Sequence, residues 1–310
     1  FRKCHKNGRD RNMLEWRKPE LNDGEWIRTI VYEAGAMGSD LSFANIYLLR
    51  DKYDIEITSY KDFLIRKYYG KGTRNGYTFP VGKGNVEKAL KEIEADAALR
   101  GESLRFSFVT EEQRKVLEHV YPGRFEYIDD LGDYDYIYSR QELAQLSGKA
   151  FHKKKNHVSK FMRQYPGFRY EELGSCNVED AAVVEDGWYY DHLQSEDDSQ
   201  RLEYNSIKEA LNYYEELNLS GGIIYVDGTA VAMTIGSRIS EDVIDVHFEK
   251  SIGEYAANGG YAAINNMYAK SQNSVEWFNR EEDINIEGLR KAKQSYHPKI
   301  HLKKYCSFEN

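Results

Sequence analysis

The residues best suited to chemistry lie in the stretch DVHFEK, positions 245–250. In a regular β-strand successive side chains point to opposite faces, so Asp245, His247 and Glu249 are predicted to share one face. An imidazole, or a carboxyl group whose pKa is raised by burial, can accept a proton from an attacking amine near neutral pH. His247 and Glu249 are therefore candidate catalytic bases. The alternatives are a buried hydrogen-bonded ladder with a structural role and a metal site, whose ligand set nothing nearby completes.

A second group of candidates lies in GKAFHKKKNHVSKFMR, residues 148–163, which has six lysine and arginine side chains and no acid. Helical periodicity places most of these charges opposite an apolar stripe. Lys154 and Lys155, however, fall in or beside that stripe, where an ordinary surface helix avoids charge. We predict that this stretch binds an anionic donor through four side chains, His152, Lys154, Lys155 and Asn156. The alternative is a solvated face whose lysines snorkel outwards.

His152 and His157 are not predicted to form a metal site. Because they lie five residues apart on a helix, their side chains project about 140° from each other and cannot bind the same ion. The chain also lacks the HExxH motif of helical zinc sites. We therefore predict no metal at these histidines, and metal binding on the strand of His247 is kept only as an alternative.

Two further features are candidates for holding the donor. Residues 288–305 form a second acid-free basic stretch, in which Arg290 and Lys293 are the candidate contacts to an anion. Gly259 and Gly260 precede a predicted helix, where backbone amides can approach phosphate groups closely. The pyrophosphate signature, in which Gln or Arg is followed by xxGxG or xxGxA, is missing at this glycine pair. Its absence counts against a conventional acetyl-CoA enzyme.

Composition narrows the class of protein. The chain has 310 residues, of which 41% are hydrophobic, so it can bury a core and is not generally disordered. Three scattered cysteines predict neither a disulfide framework nor a CxxC metal site and favour a reducing, cytoplasmic location. No apolar run approaches about 18 residues, so no transmembrane helix is predicted. The basic first residues lack the apolar segment of a signal peptide.

The predicted elements follow the same order twice, β-α-α-β-β-β-α-β-α-β, faintly in the first half and clearly in the second. Asp227-Gly228 predicts the tight turn of a hairpin, and SIKE at 206–209 predicts a capping box near a helix start. We predict an α/β chain with mixed sheets. It divides into two predicted domains, 1–147 and 148–310.

This element order is that of GNAT-type N-acyltransferases, whose fourth and fifth strands splay apart to admit the acyl donor. Four regions also resemble the C-terminal domain family of phosphatidylglycerol lysyltransferases: SDLSFANIYLLRDKY (39–53), YDYIYSRQELAQLSGKAFHKKKNHVSKF (134–161), DVHFEKS with GGYAAINN (245–251 and 259–266), and NREEDINIEGLRKAKQSYHP (279–298). The resemblance spans nearly the whole chain. It implies two tandem GNAT-like domains, similar to Fem-type transferases that use aminoacyl-tRNA as donor.

The resemblance also implies roles for single residues. A tyrosine near the last strands of GNAT-like enzymes often protonates the leaving group, which makes Tyr296 a candidate catalytic acid. DVHFEK would be the fourth strand, in the C-terminal and catalytic domain. The chain differs from the family pattern in two ways, and both limit what the resemblance implies for it. The chain lacks the membrane-embedded domain of the full lysyltransferases, which argues against a lipid acceptor, and Asn285 stands where the family commonly has Gly.

These observations predict an acyl- or aminoacyltransferase. It would move an acyl group from a polyanionic donor, aminoacyl-tRNA or acyl-CoA, to an amine or hydroxyl acceptor, with no tightly bound cofactor. The predicted partner is the anionic donor, including tRNA, and peripheral membrane contact is left open. The alternative is a non-catalytic GNAT-fold module that binds an anionic ligand or partner. A third hypothesis is metal-dependent hydrolysis on the strand of His247.

Overall fold

Two mixed β-sheets, each of seven strands, organise the residues that this computed structural model describes, 14–192 and 198–310. The strands are β1 (Ile55–Tyr60), β2 (Phe63–Tyr69), β3 (Asn75–Thr78), β4 (Val81–Gly82), β5 (Phe106–Val109), β6 (Phe125–Asp129), β7 (Asp135–Ser139), β8 (Arg169–Glu172), β9 (Leu219–Val226), β10 (Thr229–Arg238), β11 (Val243–Ser251), β12 (Trp277–Asn279), β13 (Ile300–Leu302) and β14 (Tyr305–Glu309). The helices are α1 (Gly24–Glu33), α2 (Phe43–Leu48), α3 (Val86–Arg100), α4 (Glu111–Val120), α5 (Arg140–Gln145), α6 (His152–Gln164), α7 (Val178–His192), α8 (Asp198–Asn212), α9 (Gly253–Ala257), α10 (Gly260–Ser271) and α11 (Glu287–Gln294).

The first sheet has the strand order β1-β2-β3-β5-β14-β6, with β4 paired to β2. The second has the order β13-β7-β12-β11-β10-β9-β8. In the second sheet α7 and α8 pack on one face, where Val184 and Ile207 are fully buried. On the other face α6 and α10 contribute Phe161 and Ile264 to the core. Each sheet therefore has the helix-covered, mixed α/β form that the element order predicts.

Each half of the chain supplies a strand to the other half's sheet. β7 precedes residue 147 yet pairs with β12 and β13 of the second sheet. β14 lies near the carboxyl end yet pairs with β5 and β6 of the first sheet. The predicted boundary between residues 147 and 148 therefore does not separate the two sheets. Pulling the halves apart would break β-ladders as well as side-chain contacts.

Local sequence signals explain several element ends. Asp227 and Gly228 both have positive φ, 49° and 83°, so the predicted tight hairpin turn is confirmed. The predicted capping box at Ser206 is wrong, because Ser206 lies inside α8 and its hydroxyl donates to the carbonyl oxygen of Leu202. Thr110 supplies a capping box for α4 instead.

Buried ion pairs connect the two sheets. Lys304, which directly precedes β14, places its Nζ 2.7 Å from Asp135 Oδ1 on β7 and 3.0 Å from Asp40 Oδ1. Asp40 also pairs with Arg66 of β2 at 2.8 Å. Burial alone would raise the pKa of Asp40, but Lys304 and Arg66 outweigh it and hold this pKa to about 2. Lys304 is therefore a fixed charge at the centre of the contact between the sheets.

Candidate active site

The second sheet splits where β11 and β12 diverge. Their parallel pairing covers three residue pairs and ends at Asp245 and Asn279, whereas β11 stays paired with β10 as far as Ser251. Beyond Asp245 one edge of β11 therefore has no strand beside it. Side chains from the segment that follows β12 fill this gap. The first half repeats the arrangement with a two-pair parallel contact between β3 and β5.

A β-bulge at His247 changes which face each side chain of β11 occupies. In the ladder with β10, Ile235 pairs with Phe248 and Gly236 with Val246, so His247 is the extra residue. One extra residue shifts the alternation from that point onwards. Glu249 consequently lies on the α10 face, opposite to His247. The prediction of a common face is wrong for Glu249.

His247 lies in a buried hydrogen-bonded group, the histidine cluster, formed by Asn45, Ser237, Asp245, His247 and Glu281. His247 Nε2 lies 2.8 Å from Ser237 Oγ. Its Nδ1 lies 3.4 Å from Asp245 Oδ2 and 3.3 Å from Glu281 Oε1. The amide of Asn45, which belongs to α2, donates to both carboxyl groups at 3.0 and 2.8 Å. Both halves of the chain therefore build this cluster.

The histidine cluster contains two carboxyl groups that make no ion pair with lysine or arginine within the described residues. Burial raises the pKa of Asp245 well above its usual range, and the charges of Glu281 and Asp135 add to this effect. Within residues 14–192 and 198–310, Asp245 Oδ1 is buried without a hydrogen-bond partner. The side chain of Glu281 is 25% exposed, so solvent reaches the cluster from that side. The cluster can thus accept protons from a small group that enters past Glu281.

The order hydroxyl, imidazole, carboxylate in this cluster resembles a nucleophilic triad. Ser237, however, is 4% exposed and its Oγ lies 3.1 Å from Ser42 Oγ at the start of α2. Because α2 encloses this oxygen, we interpret Ser237 as a residue that orients the imidazole.

The same cluster has donor atoms that could hold a metal ion. The ligand atoms of Asp245, His247 and Glu281 lie within 4.8 Å of one another, with Glu281 in the place predicted for Glu249. In this conformation an amide N–H of Asn45 points between the two carboxyl groups. Hydrogen bonds therefore account for the arrangement, and we assign no metal.

On the opposite face of the split lies the arginine cluster, formed by Lys154, Glu249, Arg280 and Tyr296. Arg280 Nη2 lies 2.9 Å from Glu249 Oε1, while Arg280 Nη1 is buried and has no hydrogen-bond partner among the residues that the structure describes. Lys154 Nζ lies 3.7 Å from the centre of the Tyr296 ring. Burial lowers the pKa of Lys154 to about 8, and the nearby Arg280 adds to this effect. Burial also raises the pKa of Tyr296, so its phenol keeps the proton that a catalytic acid must donate.

The structure brings four predicted residues to the split: Lys154, His247, Glu249 and Tyr296. Lys293 is buried beside them, and its Nζ donates to the backbone oxygens of Arg280 and Glu282. Lys293 thus holds the chain segment that carries Arg280 and Glu281.

The other predicted donor contacts lie outside the split. Arg290 makes a two-pronged contact with Asp283, with both distances 2.7 Å. His152, Lys155 and Asn156 are exposed on α6. Donor binding by these residues stays a prediction.

The glycine pair before α10 allows close helix packing. A Cβ at Gly259, whose φ is +103°, would lie 2.5 Å from the carbonyl oxygen of His157 on α6. A Cβ at Gly260 would meet Ser251 Oγ. Packing alone therefore requires glycine at both positions, and phosphate binding there stays a prediction.

Sequence reasoning missed Arg280, Glu281 and Asn45. Arg280 and Glu281 stand out only as neighbouring charges in NREED, directly after a predicted strand. That position after the fifth strand was the available signal. Asn45 lies about 200 residues from Asp245, and no local pattern indicates that it donates to that carboxyl group.

A large cavity lies away from the split, in the first half. Its volume is about 1560 Å³, and its lining includes Trp16, Trp26, Ile57 and Tyr60 between α1 and β1. None of the predicted site residues lines it. Size alone therefore does not mark the candidate site in this molecule.

A titratable carboxyl group lies near the far end of β11. Glu185 of α7 is 1% exposed, and its Oε2 has no hydrogen-bond partner in the part of the chain that the structure describes. Burial raises its pKa from 4.5 to about 7, although Lys250 opposes the shift. An unfolded chain ionises this group at lower pH than the folded one does. The free energy of unfolding therefore falls as the pH rises from 4.5, the ordinary pKa of the group, to about 7, its pKa in the folded chain.

The Glu185→Gln variant is expected to remove this loss. It should be more stable than the parent protein by about 1–3 kcal/mol at about pH 8 and similar to it at about pH 4.5. Urea unfolding at both pH values measures the difference. Parallel pH profiles for the two proteins would contradict a buried, pH-dependent Glu185.

A split between β11 and β12 recurs between β3 and β5 in the first half. In the second half candidate base and acid side chains flank it, and this arrangement is that of a tandem GNAT-like transferase fold. The chain belongs to the phosphatidylglycerol lysyltransferase C-terminal family, whose sequence profile matches residues 33–308. The family takes its name from a transferase. Within the described residues, no helix combines the length and apolar character needed to cross a membrane.

Solved structures agree with this assignment. A conserved protein of unknown function from Bacteroides thetaiotaomicron VPI-5482 is 33% identical, with a TM-score of 0.90 over 96% of this chain and 100% of its own. L-PGS from Bacillus licheniformis is 15% identical, with a TM-score of 0.65 over 94% and 93% of the two chains. FemX is 10% identical, with a TM-score of 0.61 over 96% and 97%. The last two likenesses concern the fold alone. A search among curated proteins finds no match.

Proposed function

We propose that this chain transfers an acyl or aminoacyl group from a polyanionic donor to an amine or hydroxyl acceptor at the split between β11 and β12. One observation supports this most strongly. Three of the eight buried side-chain atoms without a partner in the described residues lie at the split: Asp245 Oδ1, Arg280 Nη1 and Asn265 Oδ1. Asn265 belongs to α10, and its amide donates to Glu249 Oε2 at 3.1 Å. Unpaired buried polar atoms are costly, and in a folded protein they commonly mark a site that a ligand completes.

The acceptor would lie on the side of the histidine cluster. His247 and the two carboxyl groups beside it provide the proton-accepting groups, and Ser237 holds the imidazole ring in place. A base of this kind must be within hydrogen-bond reach of the attacking group. The exposed side of Glu281 gives a small nucleophile that access.

The donor would lie on the side of the arginine cluster. Arg280 Nη1, which is unpaired among the described residues, and the Lys154 ammonium would stabilise negative charge on the carbonyl oxygen as the acceptor attacks. Tyr296 lies against both groups and keeps its proton, so it can protonate the leaving oxygen or sulfur. Glu249 pairs with Arg280 and thereby orients it.

Helix α6 connects this side of the split with a basic surface. Lys153, Lys155, Lys160 and Arg163 make no ion pair within the described residues. Lys154 projects from the same helix into the split. A polyanion such as tRNA or CoA on the outer face would therefore have its reactive end close to Tyr296.

Replacing Lys153, Lys155 and Lys160 together with alanine is expected to weaken donor binding at least 10-fold. The slope of log affinity against log salt should also fall, by about one for each phosphate that the variant no longer neutralises. Fluorescence anisotropy with aminoacyl-tRNA and with acyl-CoA over a range of salt concentrations measures both effects. The control is alanine at Lys71, Lys88 and Lys115, three exposed lysines of the first half with the same total charge. Equal weakening by both triple variants, or no binding of either donor to the folded parent, would refute the donor assignment.

A further inference from the structure

We infer that the acceptor is a primary amine, which the histidine cluster binds as its ammonium ion through Asp245 and Glu281. This inference rests on the proposed acyl transfer and narrows its acceptor from two chemical classes to one. It is carried by the charges around the cluster, by the free carboxyl oxygens and by the route from solvent.

The acids around the histidine cluster differ from the two acids within it in their ion pairs. Five acids near the contact between the sheets each have a lysine or arginine partner: Asp40, Asp135, Glu249, Glu282 and Asp283. Asp245 and Glu281 have none within the described residues, and His247 is the only group of basic type that touches them. Buried carboxylates are stable when a cation compensates them. The cluster therefore lacks one positive charge that its neighbours possess.

Each of the two carboxyl groups retains an oxygen for a ligand. Asn45 and His247 contact Asp245 Oδ2 and Glu281 Oε1. Asp245 Oδ1 has no hydrogen-bond partner among the described residues, although its residue is 0% exposed. An ammonium group has three donors and no acceptor, which matches a site with carboxyl oxygens to spare. An ammonium ion would offset the burial and the neighbouring negative charges that raise the pKa of Asp245, whereas a neutral hydroxyl group would not.

The same groups can take the protons that amide formation releases. An ammonium first gives one proton to the histidine cluster, and the freed lone pair forms the C–N bond to the donor's carbonyl carbon. The C–O or C–S bond of the donor then breaks, and the leaving atom takes the electron pair and a proton from Tyr296. A second proton leaves the nitrogen, so that Tyr296 is restored. The sum is ammonium plus ester or thioester to amide, alcohol or thiol and one released proton.

Titration with n-propylamine tests the inference directly near neutral pH. The imidazole NMR signals of His247, identified by their loss in His247→Gln, are expected to shift saturably with propylamine and not with n-propanol. Glu281→Gln and Asp245→Asn should each weaken this binding at least 10-fold, since each removes a charged hydrogen-bond acceptor. The control is Glu241→Gln, an exposed acid just before β11. Glu281 is partly exposed, so Glu281→Gln is expected to fold. This variant still tests the inference if Asp245→Asn does not fold.

Equal shifts with propylamine and propanol would overturn the inference. So would stoichiometric uptake of Mn²⁺ or Zn²⁺ that shifts the same signals while propylamine does not. Mass spectrometry with an acyl donor present distinguishes an acceptor amine from the amino group of an aminoacyl donor. An N-propyl amide product supports the acceptor assignment, and inhibition without that product overturns it. If propylamine fails to bind but His247→Ala still abolishes transfer to another acceptor, the inference fails and the proposed function stands.

Discussion

Replacing His247 with alanine is expected to lower the rate of acyl transfer by about 10²–10⁴-fold, the usual contribution of a positioned general base. The structure supports so large an effect because the imidazole contacts Ser237, Asp245 and Glu281 at once. Single-turnover assays with saturating donor and acceptor measure the chemical step. Circular dichroism and thermal unfolding show whether the variant keeps its fold.

The control for this variant is His119→Ala, which removes an exposed histidine of α4 in the first half. It should leave the rate unchanged. Retained turnover in a folded His247→Ala protein would remove His247 from the mechanism. Donor binding by the parent protein without any turnover would instead favour the non-catalytic module.

Replacing Lys304 with methionine is expected to lower the free energy of unfolding by about 3–5 kcal/mol, because it leaves Asp135 and Asp40 as buried carboxylates without this partner. Asp40 keeps Arg66, so Asp135 is the group most affected. Equilibrium unfolding in urea near neutral pH gives the measurement. The matched control is Lys303→Met, which changes the adjacent, exposed lysine and should have little effect.

A double variant tests the cause of this destabilisation. Adding Asp135→Asn to Lys304→Met removes the uncompensated carboxylate and should restore part of the lost stability. If the effects of the two substitutions on the free energy of unfolding simply add, the loss comes from packing of the lysine stem and not from the buried charge.

Residue patterns predicted the sequence of elements well. Both halves largely follow the expected order, although the first predicted strand of the first half is only an isolated bridge at Arg17 in the described residues. Asp227-Gly228 identified a turn because only a few residue types adopt positive φ readily. The start of α8 at Asp198 was missed, because Ser206 satisfies its hydroxyl within the helix instead of at its end. Capping residues also occur inside helices, so this signal is weaker than a glycine turn.

Sequence patterns predicted the positions of site residues only where a single helix or strand determines them. Lys154 and Lys155 both looked misplaced on a helix, yet Lys154 enters the split and Lys155 remains exposed. Strict alternation placed His247 correctly and Glu249 on the wrong face, because a bulge depends on the partner strand. Contacts such as Asn45 with Asp245 join residues that the fold alone brings together.

The exchange of β7 and β14 between the sheets has a consequence for how the protein is made. During synthesis the first half emerges with β5 and β6 separated by an unfilled gap, because β14 comes from residues 305–309. Until those residues leave the ribosome, two strand edges stay unpaired and can join other chains. Pairing across such sequence distances is also slow. We therefore expect the first sheet to be completed only after the second half has been synthesised, with the edges of β5 and β6 open to other chains until then.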